Sequence, residues 1–187
     1  MMVLTRRVAP VSIFIALAVA AGLALIEIPN VELMSTIVFL SGFFLGFWHG
    51  ALVGGVSMSL FSTFNPLGVP VFPVLLAQVG IMSFIGFAGG VLRSSGIKVS
   101  GPISMGWLAL IGFSLTLVYD IGTNLGFAVA FGLISKLPEI VVAGLIFSAV
   151  HLVANTIFFA FLIPPVVRVV GKVRTAHTNE MQDSFKM

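Results

Sequence analysis

The chain contains no cysteine and few charged residues. The absence of cysteine among its 187 residues excludes disulfides, thiolate nucleophiles and cysteine-ligated metal sites, and leaves the redox compartment open. Only 8% of the residues are charged, whereas 59% are hydrophobic and the mean hydropathy is +1.20. These values lie far outside the range of soluble globular domains. The composition therefore predicts an all-α integral membrane protein that crosses the membrane several times.

The sequence also lacks the common catalytic signatures. Its three histidines, at positions 49, 151 and 177, form no HExxH pair. No GxSxG elbow, phosphate-binding P-loop or cluster of metal-binding carboxylates is present. An Asp120–His151 pair is able to orient a nucleophilic Ser or Thr, but such a pair is not specific for catalysis. We expect no enzymatic activity, no cofactor and no bound metal.

Six apolar runs approach the roughly 20 residues that a helix needs to cross a bilayer. The run from residue 33 to residue 64 is interrupted only at "WHG" (48–50), and each half is then about 15 residues, or roughly 22 Å, long. A re-entrant hairpin remains an alternative for this pair. The six predicted helices are 8–26, two halves of 33–64, 71–92, 103–134 and 138–170.

The distribution of cations predicts the orientation. Six crossings place eight of the nine Lys and Arg residues on one side and leave only Lys136 opposite. The positive-inside rule makes the basic side cytoplasmic, with both termini there, in a prokaryotic cell membrane. Residues 1–174 would form the membrane domain, in contact with lipids, and residues 175–187 a polar tail that we expect to be disordered. The cations lie in termini and loops, so no nucleic-acid partner is predicted. The eight are Arg6, Arg7, Arg93, Lys98, Arg168, Lys172, Arg174 and Lys186.

The segment "TLVYDIGTNLG" (116–126) places Asp120 within an otherwise apolar run. If the last two helices form an antiparallel hairpin centred near residues 136–137, residues at equal depth have numbers that sum to about 273. Asp120 with His151, and Thr116 with Asn155, come within about one residue rise of that level. Thr116, Asp120 and Asn124 are spaced i, i+4, i+8, and His151 and Asn155 are spaced i, i+4, so each set is predicted to share one helix face. The two polar faces are predicted to meet near the middle of the membrane.

An ionisable group at that depth costs at least about 2.5–3.5 kcal/mol and normally faces protein or a water-filled cavity. Asp120 therefore needs partners. One interpretation is a binding pocket, and the other is a buried network that holds the helices together, with about 0.6 kcal/mol for each bond. The two are compatible. Candidate residues for either role are Asp120, Asn124, Tyr119, His151, Asn155 and Gln78.

Two loops on the predicted outer side carry polar residues. Glu27, Asn30 and Glu32 lie in "EIPNVE", and Asn65 begins "NPLGVP". These carboxylates and amides would make the outer rim mildly acidic, which suits a small polar ligand. The alternative is that they are ordinary solvated loop residues.

Small residues recur in the first helix. Ala16, Ala20 and Ala24 are spaced by four residues, a pattern that allows close helix approach. This face is either internal packing or a docking surface.

Taken together, these features resemble the S component, the substrate-binding membrane subunit, of energy-coupling factor (ECF) vitamin transporters. The resemblance extends to about residue 174. It rests on the length, the six spans with both ends inside, the alanine repeat, and the block "FLSGFFLGFWHGALVGGVSMSLFSTFNPLGVPVFPVLLAQVGIMSFIGFAGG" (39–90). It implies a vitamin-like substrate in an outward-opening pocket formed by the first loop and helices four to six. It also implies docking, through Ala16, Ala20 and Ala24, onto a transmembrane coupling protein driven by two ATPase subunits.

The chain departs from this family in its aromatic residues. Members often place several Trp and Tyr around flat rings, whereas only Trp48, Trp107 and Tyr119 here carry polar edges. The substrate is therefore left open. Carboxylates without an intramembrane Lys or Arg favour a cationic or donor-rich ligand, unless His151 is protonated. The alternative function is a non-transporting scaffold subunit of a cell-envelope assembly complex.

Overall fold

The computed structural model describes residues 2–99 and 101–184, which are almost entirely helical and include no β-strand. The helices arise from long apolar runs with few breaks, and glycine or proline marks most of the boundaries. Along these two ranges, seven α-helices follow one another: α1 Met2–Ala24, α2 Met34–Leu45, α3 Phe47–Thr63, α4 Phe72–Ser94, α5 Pro102–Ala130, α6 Leu137–Ala143 and α7 Leu145–Ser184. A short 3-10 turn, Ile134–Lys136, precedes α6.

Within the described residues, three helices are long and apolar enough to cross a membrane: α4, α5 and the first 29 residues of α7. Val8–Ala24 of α1 and the whole of α2 are shorter apolar helices. The expectation of an all-helical bundle is confirmed for the described residues, and the length and apolar composition of these helices are compatible with a membrane protein.

The helices form a closed arrangement around α2. Helix α1 packs on α2 and α3, both of these pack on α4, α4 packs on α5, and α5 packs on α7. Contact between α2 and α7 completes the bundle. Eight of the 12 residues of α2 are buried, so this short helix forms the centre of the bundle.

Glycines allow α2, α3 and α4 to touch through their backbones. A methyl group on Gly86 would overlap the carbonyl oxygen of Gly50, and one on Gly42 would overlap the carbonyl oxygen of Gly86. Gly90 lies equally close to the backbone of Phe47. These four glycines therefore serve packing inside the chain.

The break between α2 and α3 lies at Gly46, so the predicted break at "WHG" (48–50) is wrong. Gly46 has a φ of +98°, which glycine tolerates far better than other residues, and its N–H closes α2 on the carbonyl of Gly42. Trp48 to Gly50 instead lie in the first turn of α3. Gly50 is required for close contact with α4, and the sequence alone does not separate that role from a turn.

The last hairpin is more segmented than predicted. Helix α5 ends at Ala130, and the predicted helix 138–170 is divided at Gly144 into α6 and α7. Pro138 occupies the second position of α6, where its missing N–H costs nothing. Helix α7 continues through residues 175–184, assigned above to a polar tail, and Lys186 lies outside the described residues.

Candidate functional site

Asp120 and His151 meet, as the hairpin register predicts. His151 Nδ1 lies 2.7 Å from Asp120 Oδ1, and both residues are buried. One turn from Asp120, Thr116 is buried, and its hydroxyl donates to the carbonyl of Gly112 in its own helix. About two turns from Asp120, the helices approach closely, because Gly112 leaves room for the ring of Phe159.

Glu32 joins this pair from the loop between α1 and α2. Its Oε1 lies 3.6 Å from His151 Nε2 and 3.3 Å from Asn155 Nδ2, which donates to it. Its Oε2 accepts the backbone N–H of Ser35 at 2.9 Å, in the first turn of α2. The expectation that Glu32 belongs to the outer rim is therefore wrong, because the loop carries it inward to the buried network.

The electrostatic surroundings of Glu32 favour its ionised form. Burial acts most strongly and by itself raises the pKa of Glu32, but the attraction of His151 and the hydrogen bond from Ser35 outweigh it. The pKa of Glu32 consequently lies below its usual range. An anion at the N-terminus of α2 is also favoured by the helix dipole.

The network leaves several buried polar atoms without a hydrogen-bond partner. Among the described residues they include Asp120 Oδ2, His151 Nε2 and Asn155 Oδ1. Buried polar groups are normally paired, and each exception calls for an explanation. Here all three belong to one cluster, so the site has unused hydrogen-bonding capacity.

A cavity of about 460 Å³ opens above the cluster. Its lining comes from the end of α1, the α1–α2 loop, the start of α2, α3, the α3–α4 loop, α4, α5 and α7. Seven of the nine residues predicted to bind substrate line it: Asp120, Tyr119, His151, Gln78, Glu32, Asn30 and Asn65. Within the described chain, the sequence-based site residues thus converge on one space.

Two predicted residues do not line the cavity. Asn155 is buried behind Glu32, to which it donates a hydrogen bond. Asn124 is only partly buried and lies off the cavity wall, whereas Thr123 lines it. Eight residues of helix rotate a side chain by about 80° at 3.6 residues per turn, so Thr116 and Asn124 do not share one narrow face.

Three methionines line the cavity without having been predicted: Met34, Met58 and Met82. The Met58 sulfur lies 3.9 Å from the Tyr119 hydroxyl, and the Met82 sulfur lies 3.9 Å from the Ser35 hydroxyl. Methionine adapts to irregular surfaces and contacts aromatic rings favourably. Sequence patterns give no signal for this role, because buried core methionines have the same helical spacing.

Polar side chains of the upper wall are positioned by the fold. The Tyr119 ring lies edge-on to the His151 ring, with centroids 5.7 Å apart at 83°. Ser62 donates to Gln78 Oε1 at 3.2 Å, which holds that amide against α3. Asn30 adopts a φ of +58°, a conformation that Asn accepts more readily than most residues.

The alanine repeat lies on the outside of the bundle. Ala16, Ala20 and Ala24 are exposed, whereas Ala18 and Gly22 of the same helix are buried. Gly22 lines the cavity wall, where an added methyl would lie 2.9 Å from the Met34 terminal carbon. The repeat therefore does not pack against the described part of this chain.

No protein-family model, curated protein or solved structure matches this chain. The likeness to S components accordingly rests on the sequence features given above. Among the described residues, no group of three or more His, Asp or Glu side chains has an arrangement that could hold a metal ion.

Proposed function

We propose that this chain is the substrate-binding membrane subunit of a micronutrient uptake system of the ECF type. The observation that carries the proposal is the cavity of about 460 Å³ with Glu32, Asp120 and His151 at its floor. Small-molecule sites are typically concave, about 300–1,000 Å³ in volume, and mostly apolar with a few convergent polar groups. The cavity fits that description, and its methionines supply the apolar surface.

The position of the cavity supports uptake from outside. It lies at the end of the bundle where α1 and α3 finish, beside Asn65 and Leu67 of the α3–α4 loop. Arg93 marks the opposite end, where its guanidinium donates to the Phe43 carbonyl near the end of α2. In a six-crossing topology, the basic end faces the cytoplasm and the cavity opens outward. Both termini are then cytoplasmic.

The exposed alanine repeat supports a helical partner in the membrane. Ala16, Ala20 and Ala24 present a surface with little side-chain bulk. Such surfaces allow two helices to approach closely and gain dispersion contacts. In the proposed system this partner is a transmembrane coupling protein, and two ATPase subunits supply the energy.

The proposal is tested by native mass spectrometry and thermal-shift assays of detergent-purified protein against a panel of vitamins and their precursors. Retention of a small molecule, or a rise in melting temperature with one compound, is expected. Met58→Trp should abolish either signal, because Met58 is buried and lines the cavity. Leu60→Trp is the matched control, since Leu60 is exposed on the same helix.

A scaffold subunit of a cell-envelope complex is the second candidate. It is favoured by the bonds that Glu32 makes to Asn155 and Ser35, because such bonds hold helices together without any ligand. Repeated ligand-free preparations with no thermal shift across the panel would favour the scaffold and contradict the uptake proposal.

A further inference from the structure

We infer that the cavity takes a small organic cation, and that binding of this cation releases a proton from His151. This inference rests on the proposed binding function and names the substrate class of the same site. It is carried by the placement of one imidazole between two carboxylates at the floor of the cavity.

The imidazole of His151 bridges two elements of the bundle. Its Nδ1 is hydrogen-bonded to Asp120 of α5 at 2.7 Å, and its Nε2 faces Glu32 of the α1–α2 loop at 3.6 Å. The second distance is within ion-pair range but too long for a hydrogen bond. Tyr119 of α5 is the other titratable group that faces the ring. Neither α2 nor the first 23 residues of α7 contribute a further one.

The hydrogen-bond roles decide the protonation state without ligand. Since Asp120 is acceptor-only when ionised, Nδ1 carries a hydrogen. If His151 were neutral, the lone pair on Nε2 would then face the Glu32 carboxylate, and two acceptors would oppose each other. A proton on Nε2 turns this contact into an attraction. The ligand-free site is therefore an imidazolium between two carboxylates, with a net charge of −1.

A cation can take over the role of that proton. When the cation binds, the Nε2–H bond of His151 breaks and leaves a lone pair on Nε2. A donor group of the cation beside Glu32 would then donate hydrogen bonds to the Glu32 carboxylate and to this lone pair. The released proton passes to solvent, so the net charge of the site stays at −1. Asp120 Oδ2, which is buried and has no partner among the described residues, offers a further acceptor.

An anion or a neutral ligand cannot make this exchange. No lysine or arginine lines the cavity among the described residues, so an anion would add to an uncompensated negative charge. Like charges in a poorly solvated site repel strongly. A neutral ligand would leave the imidazolium in place and release no proton.

The exchange predicts a definite pH dependence. While His151 is protonated in the ligand-free state, the apparent affinity for a monocation rises about tenfold for each pH unit, because one proton is released per cation bound. Above the pH at which the free site loses its proton, the affinity becomes constant. A neutral ligand shows neither behaviour.

The test uses three probes of one shape and different charge: benzamidinium, benzamide and benzoate. All three are small enough for the cavity, and the amidinium is a planar donor fork that matches a carboxylate. Thermal-shift and calorimetric titrations of the full-length protein in detergent should detect benzamidinium alone. Calorimetry in phosphate and in Tris, whose ionisation enthalpies differ, should report release of about one proton.

Nitrogen-15 spectra of the histidines report directly whether each imidazole is protonated. Addition of benzamidinium should convert one imidazolium signal to a neutral imidazole. His151→Gln identifies that signal, and it should also abolish the pH dependence of benzamidinium binding. The variant His49→Gln is the matched control, since His49 does not line the cavity.

Equal or tighter binding of benzamide or benzoate would overturn the inference, as would benzamidinium binding without proton release or no binding of any probe. These results are separable from failure of the proposed function. A retained neutral or anionic vitamin would leave the uptake proposal intact while removing the cation inference.

Discussion

Replacement of Gly86 by alanine should destabilise the bundle, whereas the same replacement at Gly80 should not. Both glycines lie in α4. The methyl group at position 86 would overlap the carbonyl oxygen of Gly50 and lie 3.1 Å from the backbone nitrogen of Ala51. At position 80 the added carbon would have no atom within 4 Å apart from the adjacent residues and backbone of its own helix. One helix thus carries both the variant and its control.

The size of the destabilisation by Gly86→Ala depends on whether the atoms around position 86 can move. The atoms that meet the methyl at position 86 are backbone atoms of α3, so no side-chain rotation relieves the overlap and the two helices must separate. Overpacking of this kind typically costs about 1–3 kcal/mol. Alanine in a helix interior gains about 0.8–1 kcal/mol over glycine at both positions. That gain cancels in the comparison, so the two variants should differ by about 1–3 kcal/mol.

Thermal unfolding of both variants in the same detergent, at one scan rate and followed by circular dichroism, measures this difference. A fixed scan rate is needed because the melting temperature of a protein that unfolds irreversibly depends on the scan rate. We expect Gly86→Ala to melt below wild type and Gly80→Ala at or above it. Equal melting temperatures for the two variants would refute the backbone contact between α3 and α4.

Three further predictions concern topology, docking and the site. A cysteine introduced at Ser95 should be labelled only from the cytoplasm, and one introduced at Leu67 only from outside. Labelling at position 95 from outside would rule out the six-crossing arrangement. Ala20→Leu should leave ligand binding intact but abolish uptake by an assembled complex, because a larger side chain separates the helix surfaces; equal loss of both would contradict a docking role. Asp120→Asn should weaken ligand binding by about 1.5–3 kcal/mol, or ten- to a hundredfold, through loss of a charge-assisted hydrogen bond. Unchanged affinity with a lowered melting temperature would assign Asp120 to helix packing alone.

The meeting of Asp120 and His151 was predictable because it depends on local geometry. A short connection between two helices forces them to run antiparallel, and the constant rise per residue then fixes which residues share a depth. The 3-10 turn and α6 between the helices do not change that register appreciably. Counting from the turn therefore located a contact of 2.7 Å between residues 31 positions apart.

The position of the α2–α3 break depends on contacts that are distant in sequence. Gly46 and Gly50 are both glycines in the same short segment. Gly50 lies against Gly86, and only Gly46 takes a positive φ. A sequence pattern shows where a backbone is able to turn, but the partner helix decides which glycine does so. The same reasoning applies to the methionines of the cavity, whose role is set by the neighbours they meet.

The inward position of Glu32 follows from the shortness of α2. With 12 residues, α2 spans about 18 Å, well short of the roughly 30 Å of a bilayer core. The C-terminal end of α2 is fixed beside the C-terminal end of α4. The N-terminal end of α2 must therefore lie inside the bundle. Ser35 accordingly contacts Met82, which lies ten residues, or about 15 Å, along α4.

Asn155 of α7, which donates a hydrogen bond to Glu32, places Glu32 at the same depth in the bundle. Asn155 lies ten residues, or about 15 Å, from the first residue of α7. Two independent contacts thus place the start of α2 roughly halfway through the bundle, and the α1–α2 loop must descend to reach it. A full-length α2 would have kept Glu32 at the surface, away from His151. The short central helix is therefore what brings a loop carboxylate to the buried histidine and gives the cavity an acidic floor.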